Sequence, residues 1–251
     1  MNSADDPSGG TALVLGASGA TGRLLVEELL ARAWRVRTVV RRPESLPAAW
    51  AGDDNLTVVH ASVLELSDDE LAALVKDCSA VASCLGHNLT LRGVYGEPRR
   101  LVTDAVRRVC AAARANAAPE PLKFVLMNTA GNRNRGSDEQ VSFAESCVVG
   151  LLRVLVPPHA DNEDAAEFLR ARIGSDDRRV EWAVVRPDGL TDEDRVTRYE
   201  LHASPVRSAI FDAGRSSRRN VASFMADLIA DATVWDAWKG RMPVLYNADE
   251  S

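Results

Sequence analysis

The chain has 251 residues, a net charge of −6, 46% hydrophobic and 26% charged residues; this is globular composition with enough apolar side chains for a packed core, which excludes disordered and fibrous classes for its bulk. Lys and Arg are spread without a long basic run, so neither a nucleic-acid surface nor an anionic-membrane surface is expected. Cys78, Cys84, Cys110 and Cys147 show no C-x-x-C spacing, which argues for reduced, mostly buried thiols in a cytoplasmic protein and against zinc or disulfide frameworks.

Residues 1–10 are polar and read as a flexible tail without the basic-then-apolar order of a secretory signal. Thr11 to Leu15 is a short apolar run closed by Gly16, and Leu24 to Leu30 carries apolar residues at helical spacing, so strand, tight turn and helix follow one another. Arg35 to Val40 and Leu56 to Val59 repeat the strand pattern, and the acidic stretch Ser67 to Val75 reads as a helix. Ala80 to Leu85 is the next strand. A long helix starts near Pro98 and presents Leu101, Val102, Ala105, Val106, Val109 and Ala113 on one face. Phe124 to Met127 and Val180 to Val185 are buried strands. The stretch Cys147 to Val156 is the most apolar, but Arg153 interrupts it and it is far shorter than the roughly 20 residues of a membrane helix.

Repeated β-α-β at this spacing predicts a doubly wound α/β domain with a parallel sheet and helices on both faces, spanning residues 11–248. From about Pro187 the alternation loosens: Val196 to His202 and Val244 to Tyr246 read as strands and Asn220 to Ala230 as an amphipathic helix. This part is read as a substrate-side portion of the same domain. Trp182 is assigned to the core, and Trp235 and Trp238 to covering the sheet edge.

The strongest local signal is Gly16-Ala17-Ser18-Gly19-Ala20-Thr21-Gly22, placed where the first strand meets the first helix. Gly16 permits the turn, Gly19 lets backbone N–H groups approach a pyrophosphate, and Gly22 lets the helix pack close. The dipole of the helix N-terminus adds to the attraction for phosphate. The second strand ends at Val40 and leads into Arg41 and Arg42, where an unphosphorylated ribose would ask for an acid about 20 positions beyond the last glycine. Guanidinium groups there suit a 2′-phosphate, hence NADP(H) ahead of NAD(H); the competing reading is a solvated basic turn. Ligands in such sheets lie outside the C-terminal strand ends, so Cys84, Leu85 and Gly86, together with Asn128, Thr129 and Ala130, should edge the nicotinamide half of the crevice, with Pro187 beside them.

With these pieces the chain resembles the short-chain dehydrogenase/reductase superfamily in its atypical, NmrA-like, NAD(P)-binding branch. The resemblance rests on the glycine string at 16–22, Val-Val-Arg-Arg-Pro at 39–43, Val-Leu-Met-Asn-Thr-Ala-Gly at 125–131 and Trp-Ala-Val-Val-Arg-Pro-Asp-Gly-Leu at 182–190. It implies that Ser62 and Val63 lie beside the adenine, although the family often has Asp at the position of Ser62. The family's Tyr-x-x-x-Lys proton relay is absent from the chain. Laying the family pattern with its glutamate on Glu167 puts His159 in the tyrosine slot and Glu163 in the lysine slot. An imidazole at 159 could pass a proton near neutral pH, with Glu163 raising its pKa; alternatively His159 and Asp161 only open a helix, with Asp161 as its N-cap. His60, His87 and His202 have weaker claims, His87 being the next to test.

Three functions follow. The first is an NADP(H)-dependent reductase acting on a small carbonyl or conjugated acceptor, with His159, Asn128 and Thr129 as the catalytic set. The second is a non-catalytic NADP(H)-responsive regulator of the NmrA kind, and the third an epimerase or isomerase that uses the nucleotide transiently.

Overall fold

Thr11–Leu15 is buried at every position, and such an unbroken run requires a strand covered on both faces. In the computed structural model, which describes residues 9–87, 98–137, 139 and 157–248, this run is β1, followed by α1 (Ala20–Ala31), β2 (Arg35–Val40), β3 (Leu56–His60), α2 (Asp68–Val75), β4 (Ala80–Ser83), α3 (Leu101–Asn116) and β5 (Leu122–Met127). The second part runs α4 (Pro157–Phe168), which closes with a π-turn over Leu169–Ile173, then β6 (Val180–Pro187), β7 (Gly189–Thr191), β8 (Tyr199–His202), β9 (Arg215–Ser217), α5 (Arg218–Ala230), α6 (Ala232–Trp238) and β10 (Val244–Asn247). The apolar stretch Cys147 to Val156 and the tail 1–8 lie outside the described residues.

The main sheet has the order β3-β2-β1-β4-β5-β6-β10-β8, and β7 and β9 form a separate two-stranded piece. Neighbours in the main sheet are parallel except β8, which runs antiparallel to β10 at the edge. The strand order runs outward from β1 to β3 on one side and from β4 to β6 on the other, which defines a doubly wound, Rossmann-like domain with its crevice at the C-terminal ends of β1 and β4.

Strand alternation assigns the two faces. Leu13, Leu15, Val81, Phe124, Leu126, Trp182 and Val184 join one core with α2, α3 and α4. Ala12, Val14, Ala80, Ala82, Val125, Ala183 and Val185 join the other with α1, α5 and α6. The many alanines on the second face let α1 and α5 sit close to the sheet. Trp182 is in the core as expected. Trp235 is buried in the second core and donates its indole N–H to Glu181 at 2.6 Å, while Trp238 packs edge-on against Phe224.

Two helix starts differ from the sequence expectation for a physical reason. Pro157 and Pro158 open α4, since a proline in the first turn lacks only an N–H that has no intrahelical partner. Asp161 is therefore inside its helix and is not its N-cap. Its carboxylate instead accepts the N–H groups of Val102 and Thr103 at 2.8 and 2.9 Å, capping α3 across the domain and fixing that start at Leu101 instead of near Pro98. At α2, Ser67 and Glu70 form a reciprocal capping box, with Glu70 N–H donating to Ser67 Oγ at 3.2 Å and Ser67 N–H to Glu70 Oε2 at 2.7 Å.

Candidate functional site

The crevice begins at the glycine loop. Gly16 has φ of +81°, and a Cβ there would lie 2.6 Å from Cys84 O, so only glycine lets the loop after β1 touch the end of β4. A Cβ on Gly22 would collide with Gly16 O, so α1 can seat on the loop only without a side chain at that position. Gly19 is the N-cap of α1 and brings no side chain to the first-turn N–H groups. Ala17, Thr21 and Gly22 are buried, whereas Ser18, Gly19 and Ala20 are exposed. An uncapped helix start at an open glycine turn is an anion cradle of the kind a pyrophosphate fills.

Arg41 and Arg42 follow β2 on the same side of the sheet and are exposed. Among the described residues neither guanidinium has an ion-pair partner. Their backbone is held: Arg41 O accepts from His60 Nε2 at 2.9 Å, and Arg42 O from the Ser45 hydroxyl at 2.7 Å. His60 is thereby placed as a support for this turn. Ser62 and Val63 follow β3; Ser62 is half-buried, and Val63 is buried in the first core, its carbonyl accepting from Arg108 at 3.0 Å.

At the centre, Cys84 N–H still donates to Leu15 O at 2.9 Å beyond the end of β4. Its thiol lies 4.0 Å from Met225 Sδ and burial pushes its pKa up to about 12, which makes it a filler and not a nucleophile. Leu85 is half-buried and Gly86 exposed at the crevice. Two residues beyond Leu85, His87 Nε2 meets Asp161 Oδ2 at 2.8 Å, so one carboxylate joins the loop after β4, α3 and α4.

The turn after β5 is the most densely bonded part. Asn128 Nδ2 donates to Asn162 O at 2.9 Å, and its Oδ1 accepts Thr129 N–H at 2.9 Å and the Asn132 amide. Thr129 Oγ1 accepts Gly131 N–H at 3.3 Å, and Ala130 N–H donates to Pro187 O at 2.8 Å, which draws the ends of β5 and β6 together. His159, in the first turn of α4, points at the same turn: its Cε1 would be 4.0 Å from a Cβ on Gly131. Asn128, Thr129 and His159 thus meet at one place. The carboxylate of Glu163 accepts a 2.7 Å bond from Arg135. His202 lies elsewhere, against Glu200 and Tyr246 near the β8 edge.

One functional support was missed. Arg186 is 1% exposed and donates to Met242 O at 2.8 Å, Asn132 O at 3.0 Å and Glu139 Oε1 at 2.7 Å. It holds the turn that carries Asn128 and Thr129. The signal was present: an arginine that follows the apolar run Trp182 to Val185 in a buried strand demands a buried partner, but its partners are distant in sequence. Among the described residues no group of three or more His, Cys, Asp or Glu could hold a metal ion, and no helix is long and apolar enough to cross a membrane.

The family described as NAD(P)H-binding matches residues 16–232, most of the chain and all of this crevice. An uncharacterized chloroplastic protein of Arabidopsis thaliana is 38% identical over 71 residues, which span 28% of this chain and 25% of that protein; the match therefore reaches only about a quarter of the relative's length. Among solved structures, a short-chain dehydrogenase/reductase of Veillonella parvula in complex with NADP has a TM-score of 0.68 at 15% identity, covering 95% of this chain and 94% of that one. An anaerobillin reductase of Escherichia coli O157:H7 has a TM-score of 0.66 at 17% identity, covering 96% and 98%. At these identities the likeness is one of fold.

Proposed function

Because the chain belongs to the NAD(P)H-binding family, we propose that it is an NADP(H)-dependent reductase that delivers a hydride to a small carbonyl or conjugated acceptor. The observation that carries this reading is the pairing of a bare helix N-cap at Gly19 with two arginines at the end of β2 that have no ion-pair partner among the described residues. NAD(H) is the weaker candidate, because its ribose would ask for an acid where Arg41 stands. The Veillonella neighbour bound to NADP and the Escherichia reductase, both of the same fold, support cofactor and reaction class.

The reduced nicotinamide supplies the hydride when bound. The first-turn N–H groups of α1 would hold the pyrophosphate, Arg41 and Arg42 the 2′-phosphate, and Ser62 and Val63 the adenine edge. Cys84, Leu85, Gly86, Ala130 and Pro187 would line the nicotinamide half and exclude water from it. His159 would give a proton to the acceptor, replacing the missing tyrosine. Asn128 is committed to the turn and to α4, so its part is positioning; the Thr129 hydroxyl accepts one N–H and keeps its own proton to donate.

The test is a calorimetric titration with NADPH and NADH, followed by loss of reduced-nicotinamide absorbance with carbonyls, quinones and flavins. One or two charge-assisted bonds contribute about 1.5–3 kcal/mol each, so NADPH should bind tighter by roughly 10- to 1,000-fold or more. The double change Arg41→Ala/Arg42→Ala should bring the two affinities together. Equal wild-type affinities would reduce the arginines to a solvated turn. Tight NADPH binding with no turnover on any acceptor would favour the regulator, a reading supported by the absence of Tyr-x-x-x-Lys.

A further inference from the structure

A second concavity lies beside the crevice, at the sheet edge formed by β8 and β10. It is a cleft of about 1130 Å³ whose walls include Arg195, Arg198, Arg207 and Arg215, opposed by Glu193 and Glu200. Four guanidinium groups against two carboxylates form a local positive excess on a chain whose net charge is −6. Glu200 is engaged by His202 at 3.2 Å. Arg207 reaches Asp212 only at 3.8 Å, and among the described residues Arg195, Arg198 and Arg215 have no ion-pair partner. Structural arginines are usually paired, as Arg186 is; arginines gathered unpaired around a cavity are arranged for a ligand's charges.

Two further observations point inward. Tyr246 lines the cleft and is only 6% exposed, and its hydroxyl faces the backbone N–H groups of Val206 and Arg207, which it holds at the cleft wall. A phenol that accepts backbone N–H groups keeps its own proton to donate to a ligand acceptor. Val196 and Val206 also line the cleft, and Val206 is 61% exposed, which leaves an apolar surface among the charges. Tyr246 shares a small buried cluster with Ala130, the residue whose N–H ties the turn after β5 to Pro187.

We propose that this cleft binds a small organic polyanion, an apolar body carrying two or more carboxylates, with the arginines taking the carboxylates, Tyr246 donating its hydroxyl and the two valines meeting the body. Guanidinium forks match carboxylates in a bidentate manner. The proposal deepens the reductase reading by giving its acceptor a charge, and it rests on that reading only in calling the ligand a substrate.

Binding is measured by calorimetry at low ionic strength with benzene-1,3,5-tricarboxylate, its uncharged triamide and inorganic phosphate, on protein with and without NADPH. The tricarboxylate should bind most tightly, and Arg195→Ala/Arg215→Ala should weaken it about tenfold or more, with a smaller loss in Tyr246→Phe. NADPH affinity should be unchanged in both variants, which also shows that they are folded. Equal binding of the triamide or of phosphate overturns the proposal, as does an Arg195/Arg215 variant that binds like wild type. So does a loss of tricarboxylate affinity in Arg41→Ala/Arg42→Ala, which would place the probe in the dinucleotide site. If NADPH fails to bind while the tricarboxylate binds through Arg195 and Arg215, the cleft stands and the reductase reading falls.

Discussion

Arg186 heads the large side chains that are fully buried, and it is buried beside the candidate catalytic turn. A guanidinium out of water is tolerated only when its donors are met, and here three carbonyls and Glu139 meet them, the weakest being Ala203 O at 3.4 Å. Glu139 in turn accepts Asn134 N–H at 2.9 Å, so the pair fixes the backbone on both sides of the turn. Removing one partner leaves an uncompensated buried charge, and Glu139→Ala should lower the unfolding free energy by about 3–5 kcal/mol in urea titrations. The double variant Glu139→Ala/Arg186→Met should lose less than the sum of the two single variants, because it leaves no orphaned charge. Additive losses would show that the two side chains act independently, and the account of the pair would be abandoned.

Asp161 does for the elements what Arg186 does for the turn. Through one carboxylate it caps α3 and holds His87, and its backbone carbonyl accepts the Thr103 hydroxyl at 2.9 Å. Asp161→Ala removes a cap and frees two buried N–H groups, so it should cost about 1–3 kcal/mol. Hydrogen exchange at Val102 and Thr103 should rise selectively, and unchanged protection there would mean the cap does no such holding. The contrast with what the sequence shows is instructive. β1, β5 and β6 are legible from their short apolar runs, β2 and β3 from their β-branched residues, and α2 from its acidic, helix-like stretch. The glycine loop is legible because its glycines and its place after β1 belong to one short segment. Asp161 was misread because local pattern sees only its own helix, whereas its partners are about 60 residues upstream. The antiparallel direction of β8 and the arginine cleft escaped for the same reason: both depend on which distant segments the fold brings side by side.

At the scale of the whole molecule, the two cores lie on opposite faces of one sheet, and the crevice is built from turns at the ends of β1, β2, β3, β4, β5 and β6. No one element could hold the dinucleotide by itself; the cradle exists only when both halves of the sheet are assembled. A ligand that needs the assembled cradle binds the native state and not the unfolded chain, so its affinity is linked to the stability of the entire domain. NADPH at 100 times its dissociation constant should therefore stabilise the protein by about 2.7 kcal/mol. For a domain of this size each kcal/mol moves the midpoint by about 2–4 °C, which gives a rise of about 5–11 °C in a single cooperative transition. If NADH binds 100-fold more weakly, the same concentration equals its dissociation constant, and the shift should be only about 1–2 °C. Differential scanning fluorimetry with both cofactors checks this, and Arg41→Ala/Arg42→Ala should reduce the NADPH shift toward that of NADH while leaving the ligand-free midpoint nearly unmoved, since both side chains are exposed. A cofactor shift confined to one of two separate transitions would mean that the crevice belongs to a local unit of the fold and not to the sheet as a whole.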